Sequence, residues 1–311
     1  MAEKNTNQIS VFVATHKKLD VDFPKGYIPM QVNCTNNGEH WAGYYHDDYG
    51  DNISEKNPYY CELSVLYSAW KNCNSSIKGL AHYRRYMSNN TNLEFNTRML
   101  CDLEHLEDEV ISSDEIKQRI LVEGNDILLV MPQGPYPETG RQELEKFCYK
   151  KDIDILTDII REEYPGYFPY LEKVLSSKTL YYFNMLIARA EVFDGYCEWI
   201  FDVLGKVEER CNIIDYDTQH KRIYGYFAEV LLDVYFEKNQ QFKRKFVGLV
   251  NPYQFMGGKR ELYEQQKKRN RQYEFLRNIR LYGLIELFYR IKNPTLYGKY
   301  EACKSFEKEN D

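Results

Sequence analysis

The feature that most constrains this chain is a succession of short apolar runs separated by segments with helical spacing. Ile9–Thr15 reads I-S-V-F-V-A-T. It is short, β-branched and apolar, as a strand covered on both faces of a sheet must be. Tyr27–Val32 is a second candidate strand. Pro58 then opens a helix with Asn57 as its N-cap, and Leu63, Leu66, Tyr67 and Trp70 follow at helical spacing up to Asn72-Cys73-Asn74. Ile77–Tyr86, Asp126–Met131, Tyr181–Arg189 and Phe246–Val250 read as further strands. Glu143–Tyr164, Val192–Arg210 and Tyr224–Phe236 read as helices, and Leu93–Val122 as charged and mostly helical. Strands alternating with helices specify an α/β domain with a mostly parallel sheet flanked by helices.

The 311 residues, 43% of them hydrophobic, can bury a sizeable core. A boundary falls near Gly257, where the sequence turns basic, aromatic and helical. It divides a catalytic-sized domain, residues 1–257, from a C-terminal helical extension, residues 258–311. Between Lys259 and Lys292 there are ten Lys/Arg against four Asp/Glu, although the whole chain carries a net charge of −6. Leu276, Ile279, Leu281, Leu284, Leu287 and Phe288 make this a basic amphipathic tail. Such helices lie on anionic membrane surfaces. No nucleic-acid module accompanies the tail, so nucleic acid is not expected as a partner.

None of the eight cysteines forms a C-x-x-C pair, which predicts free thiols in a reducing compartment. The first ten residues lack the apolar run of a signal peptide and no run reaches 18 apolar residues, so a cytoplasmic location is expected. Dinucleotide, P-loop, nucleophile-elbow and zincin signatures are absent. His40 and His46 are read as solvated loop residues rather than metal ligands.

The densest chemical constellation is His82-Tyr83-Arg84-Arg85-Tyr86, directly after the apolar start of a strand. If the strand continues, His82, Arg84 and Tyr86 share one face. Adjacent arginines there suit a diphosphate, because the guanidinium fork matches phosphate oxygens. Salt bridges to nearby carboxylates are the alternative. Thr15, His16 and Lys17 close the first strand at its carboxyl end, where open α/β sheets bind ligands. Residues 33–57 form a long polar loop of the kind that carries function.

The segments V-A-T-H-K-K, G-D-N-I-S-E-K-N-P-Y-Y-C-E-L, Y-S-A-W-K-N and G-L-A-H-Y-R-R-Y resemble a bacterial family of capsular polysaccharide synthesis. That family was long described as a domain of unknown function and is now grouped with glycosyltransferases, galactofuranosyltransferases among them. F-N-M-L-I-A-R, F-D-G-Y-C-E-W-I-F and R-I-Y-G-Y-F-A-E-V-L-L extend the similarity over residues 9–237. One departure is Glu229-Val230-Leu231, where the family tends to have Glu-Arg-Leu.

The resemblance implies a GT-A-like fold with a nucleotide-sugar at the carboxyl ends of the strands. Many such enzymes place a metal-binding Asp-x-Asp after a helix and a short strand. Here that place holds His82-Tyr83-Arg84-Arg85, so the arginines are expected to replace the metal. Mn or Mg held by Asp47, Asp48 or Asp51 is the less favoured mechanism.

The expected activity is inverting transfer of a hexose, plausibly galactofuranose, from a UDP-sugar to a lipid-linked oligosaccharide at the inner membrane face. Glu229 and Asp51 are the candidate bases, with Asp194 and Glu62 behind them. Thr15, His16, Lys17, Asn52, Asn57, His82, Arg84 and Arg85 are expected to meet the nucleotide and diphosphate. Asn184, Asp194, Trp41 and Tyr45, with Tyr44 beside them, are expected to meet sugar. A non-catalytic sugar- or nucleotide-binding scaffold and a sugar-phosphate transferase are the alternatives.

Overall fold

A computed structural model of the protein describes residues 8–89, 98–132, 137–179 and 183–255, with seven further positions between 260 and 268. Ten strands are present among the described residues: β1 (Ile9–Thr15), β2 (Tyr27–Gln31), β3 (Tyr45–His46), β4 (Ile77–His82), β5 (Tyr86–Met87), β6 (Arg98–Cys101), β7 (Ile127–Val130), β8 (Leu186–Arg189), β9 (Arg244–Val247) and β10 (Leu249–Pro252). Seven of them form one sheet in the order β3-β2-β1-β4-β8-β7-β9. The other three form a small sheet in the order β5-β10-β6.

All seven residues of β1 are buried. It lies parallel to β2 on one side and to β4 on the other, with Ala14 opposite His82. Alternate side chains of β1 feed different cores. Phe12 and Ala14 pack with Leu63, Leu66, Phe193, Tyr196 and Phe227 from the helices on one face. Val11 and Val13 pack with Tyr86, Met87, Ile111 and Ile116 on the other. Covering both faces is why β1 is a continuous apolar run rather than an alternating one.

The sheet is mostly parallel, but β8 is antiparallel to both β4 and β7. Leu186, at the start of β8, pairs with Leu80 near the end of β4. The residues just before β8 therefore lie at the carboxyl end of β4. Gly79 permits this pairing, because a Cβ there would sit 2.7 Å from the Ile187 side chain and 3.0 Å from the Leu186 carbonyl.

Two sequence expectations change at this end of the sheet. The strand expected over Ile77–Tyr86 stops at His82. Mutual backbone bonds between His82 and Arg85 close a turn over Tyr83-Arg84, so the shared face expected for His82, Arg84 and Tyr86 does not form. The strand expected from Tyr181 begins only at Leu186. Phe183 and Asn184 have left-handed backbone, with φ of 85° and 50°. A β-ladder cannot continue through such residues.

The helix expected from Pro58 is also divided, into Asn57–Tyr60 and Leu63–Asn72. Cys61 breaks it at φ 53°. Asn57 does not cap the helix start. Its amide donates to the Cys61 carbonyl and the Ser64 hydroxyl, holding the break in place. The candidate last strand Phe246–Val250 is two strands in two sheets. The tail and the boundary near Gly257 lie almost wholly outside the described residues. Among those described, no helix is long and apolar enough to cross a membrane.

Candidate active site

A cavity of about 660 Å³ opens at the carboxyl ends of β1 and β4. Thr15 and His16 line it from β1, and His82, Tyr83, Arg84 and Arg85 from the end of β4. Asn57, Pro58, Cys61 and Glu62 form the wall of the divided helix. Arg222, Gly225, Tyr226 and Glu229 come from the Ile223–Lys238 helix and the residue before it. These last four are spaced so that they share one helical face. Gly225 lets that helix approach closely, since a Cβ there would meet the Cys61 sulfur at 3.3 Å.

The strained turn before β8 ties the walls together. The His82 ring donates from Nε2 to the Phe183 carbonyl at 2.6 Å, a tautomer assigned from this partner. The Phe183 amide donates to Glu229 at 3.2 Å. Asn184, fully buried, donates to Glu62 at 2.7 Å and to the Gly225 carbonyl at 3.2 Å. Its own carbonyl oxygen has no hydrogen-bond partner among the described residues. Left-handed backbone at non-glycine residues is costly and persists where surrounding structure enforces it, as at functional sites.

The electrostatics divide the cavity into a cationic and an acidic side. Burial lowers the His16 pKa, and Lys17, Arg84 and Arg222 lower it further. Burial also lowers the His82 pKa, with Arg85 and Arg84 adding to the effect and Glu62 opposing it. His82 is thus a neutral ring whose one N–H is already committed, leaving Nδ1 as an acceptor. The cationic groups of the cavity wall are instead the arginines, Arg84, Arg85 and Arg222. Among the described residues, neither Arg84 nor Arg222 makes a salt bridge. Arg84 lies 5.8 Å from the Tyr83 ring centre. Arg222 donates to the Cys61 sulfur at 3.0 Å and sits over the Tyr226 ring. The Arg85 guanidinium lies 4.3 Å from the Phe183 ring centre.

On the acidic side, burial, with neighbouring Glu62 adding to it, pushes the Glu229 carboxyl up to about 8. The Phe183 amide, Arg85 and Arg222 pull the other way. The side chain is partly buried and lines the cavity. A carboxylate that titrates near neutrality in a pocket is suited to accept a proton.

The structure brings Thr15, His16, Asn57, His82, Arg84, Arg85 and Glu229 to this one cavity, with Asn184 directly behind it. The remaining expected residues lie elsewhere. Lys17 is exposed, and its amide and carbonyl bond the Thr15 hydroxyl. Asp51 accepts from the Tyr67 hydroxyl on the surface, and Asn52 donates to the Asp48 and Gly50 carbonyls within the loop. Trp41 and Tyr45 do not line the cavity. Tyr45 is exposed and meets the edge of Phe12. Asp194 pairs at 2.7 Å with Lys78, buried at the opposite end of β4 from His82. A buried ammonium requires such a partner.

The loop aspartates weighed as metal ligands divide in the same way. Asp47 is fully buried and accepts from the Asn33 and Cys34 amides and the Ser54 and Ser64 hydroxyls. Its oxygens are engaged in holding the loop. Asp48 bonds His40 at 2.8 Å, and the Cys34 sulfur lies within 4.8 Å of both. None of these residues lines the cavity.

Four residues not expected to meet substrate, Cys61, Arg222, Tyr226 and Phe183, also line the cavity. A signal for two of them was present. Arg222, Tyr226 and Glu229 stand at i, i+4 and i+7, one stripe of the helix on which Glu229 had been singled out.

Residues 10–240 match the family described as "Domain of unknown function (DUF4422)". The chain belongs to this family. Among solved structures it is similar to one titled "WbbM bifunctional glycosytransferase apo structure", at 28% identity and a TM-score of 0.72. The match covers 79% of this chain but 45% of that one, so this chain spans less than half the length of the protein it resembles. No curated protein sequence matches. The DUF4422 chain thus has the GT-A-like α/β fold expected for it, with its cavity where such sheets bind ligands.

Proposed function

We propose that this DUF4422 protein is a glycosyltransferase that moves a hexose, galactofuranose being the candidate, from a UDP-sugar to a glycan acceptor in surface-polysaccharide synthesis. The observation that carries this reading is the convergence in one cavity of Arg84, Arg85 and Arg222 with Glu229, a carboxyl pushed up to about 8. The likeness to a bifunctional glycosyltransferase supports it.

In this reading Arg84, Arg85 and Arg222 hold the diphosphate and offset the charge that builds on it as it leaves. Fixed cations at a leaving group lower the barrier most where they meet charge formed only in the transition state. The acceptor hydroxyl oxygen attacks the anomeric carbon while the bond from that carbon to the diphosphate oxygen breaks. The electron pair leaves with UDP, and the hydroxyl proton passes to Glu229. Attack opposite the leaving group inverts the anomeric centre. Asn184, which donates to Glu62 at 2.7 Å, orients that carboxylate behind the sugar position. The position after β4 that would hold an Asp-x-Asp is cationic here, so the arginines take the role of Mn or Mg. The basic tail, residues 258–311, brings the enzyme to a lipid-linked acceptor at the membrane surface.

Calorimetry of UDP binding, in EDTA and then with manganese, tests this reading on the wild type and on Arg84→Ala/Arg85→Ala. Binding that survives EDTA and falls at least about 100-fold in the double variant is expected, since bidentate phosphate contacts are strong. Binding that requires manganese and ignores the arginines would sink the mechanism. Slow release of UDP from a UDP-sugar separates a transferase from a scaffold, and release of UMP would favour sugar-phosphate transfer.

A further inference from the structure

Beside the cavity lies a group of aromatic side chains that the proposed chemistry does not use. Phe147 and Tyr149 sit between the helices Gly140–Leu144 and Lys150–Glu163. They are 38% and 41% exposed, unusual for large rings in a chain with so much buried aromatic surface. Each is nonetheless fixed. Phe147 stacks on Tyr226 with ring centres 5.0 Å apart and planes at 27°. Tyr149 stacks on His220 at 4.3 Å and 8°, and meets Tyr216 edge-on at 4.8 Å. Tyr216 is itself anchored, its hydroxyl donating to the buried Asp152 at 3.0 and 2.9 Å.

Beyond these partners, and the Lys151 ammonium 5.9 Å from the Tyr149 ring centre, the remaining surface of both rings is open. These rings are held rigidly by their partners and open to solvent, a costly arrangement unless something covers them. Tyr226 is common to the shelf and the cavity, so the exposed surface is continuous with the place where a donor sugar would end. Lys151 lies over the Tyr216 ring and Arg222 over the Tyr226 ring, so a polar donor accompanies a partner of each exposed ring. Flat apolar faces with a few hydrogen-bond donors at their edge suit a sugar ring, which has an apolar C–H face and a rim of hydroxyls.

We infer that Phe147 and Tyr149 form the acceptor subsite, a shelf on which a pyranose ring of the acceptor glycan stacks as its hydroxyl enters the cavity past Tyr226. The inference rests on the glycosyltransferase reading for the identity of its ligand. The shelf explains how one cavity of limited size serves two substrates: the donor lies within it, and the acceptor lies across its mouth. It places glycan recognition on the segment before the Lys150–Glu163 helix rather than on the Trp41–Tyr45 loop.

Saturation-transfer NMR tests the shelf with the methyl glycosides of glucose, galactose, mannose and N-acetylglucosamine, added to the full chain with UDP present. At least one glycoside is expected to give ring-proton signals. Phe147→Ala/Tyr149→Ala should weaken that contact roughly five- to tenfold, as loss of aromatic stacking does. Phe147→Tyr and Tyr149→Phe, which keep the rings, should retain it. UDP affinity should stay within about twofold in all of these variants, because loss of a stacking ring need not disturb a phosphate site. Glycoside contact that is unchanged in the double alanine variant, or absent for all four sugars with the wild type, overturns the shelf. Failure of UDP to bind the wild type would instead overturn the donor reading, and the glycoside signals would still judge the shelf.

Discussion

Asp47 is a buried carboxylate and Glu229 a partly buried one, and they differ in what surrounds them. Asp47 gathers four donors, two amides and two hydroxyls, and knits the long loop to the helix beginning at Leu63. Glu229 receives one backbone amide, from a residue in left-handed conformation, and faces Glu62 across the cavity wall. The first arrangement satisfies a charge and fixes structure. The second leaves a charge poorly satisfied and therefore reactive. Enclosure alone does not separate a structural acid from a chemical one, whereas the number of donors and the sign of the neighbours do.

The contrast can be broken most directly at Glu229. Glu229→Gln is expected to lower sugar transfer by about 10²- to 10⁴-fold, the range for loss of a general base. A UDP-sugar turnover assay that finds near wild-type rates would remove Glu229 from the chemistry. The next largest effect belongs to Asp47. Asp47→Ala strands two amides and two hydroxyls and should cost about 3 kcal/mol of stability in urea unfolding. A cost below roughly 1 kcal/mol would mean that the loop does not depend on it.

A third prediction concerns pH. The Glu229 carboxyl is raised in the folded protein, so the unfolded chain loses this proton first as pH rises. Its contribution to stability is full below ~4.5 and declines until about 8. Glu229→Gln escapes that decline. Its melting temperature relative to wild type should climb through this window and level off above it. A difference that is flat with pH would show that Glu229 ionises as easily folded as unfolded.

A smaller effect is expected at Glu62. Glu62→Gln removes the like charge that raises Glu229, so the alkaline rise of the activity profile should move to lower pH, by less than about one unit. Movement to higher pH would contradict the placing of the two acids. Least of all is expected at Asp51. Asp51→Ala on the surface should leave UDP affinity within about twofold, because substitutions away from a site change little. A large loss would return the loop to the donor site.

Much of this was legible along the chain. Ile9–Thr15 proclaims a doubly covered strand by composition alone, and β1 has those bounds. The arginine pair and Glu229 stood out as charges in apolar surroundings, and they share the cavity. Asn184 stood out as a polar residue in an apolar run. The reading erred on its backbone, which turns rather than extends. Local patterning reports periodicity but not a change of φ sign, which is enforced at Phe183 and Asn184 by the groups they bind. Asp194 was misplaced because nothing local reveals a buried lysine partner contributed by a strand 116 residues away.

The sequence by itself marked most of the strands and helices, because side-chain periodicity is a local property, but not the breaks at Cys61, Phe183 and Asn184, where the sign of φ changes. It also determined which charges had no comfortable place in those segments. Only the tertiary structure decided which of these charges meet. Reversal of β8 carries Phe183 and Asn184 to the carboxyl end of β4. Close approach at Gly225 brings Arg222, Tyr226 and Glu229 against the wall at Cys61 and Glu62. Such meetings depend on strand direction and on which faces pack, and these are set by the whole core rather than by any one segment.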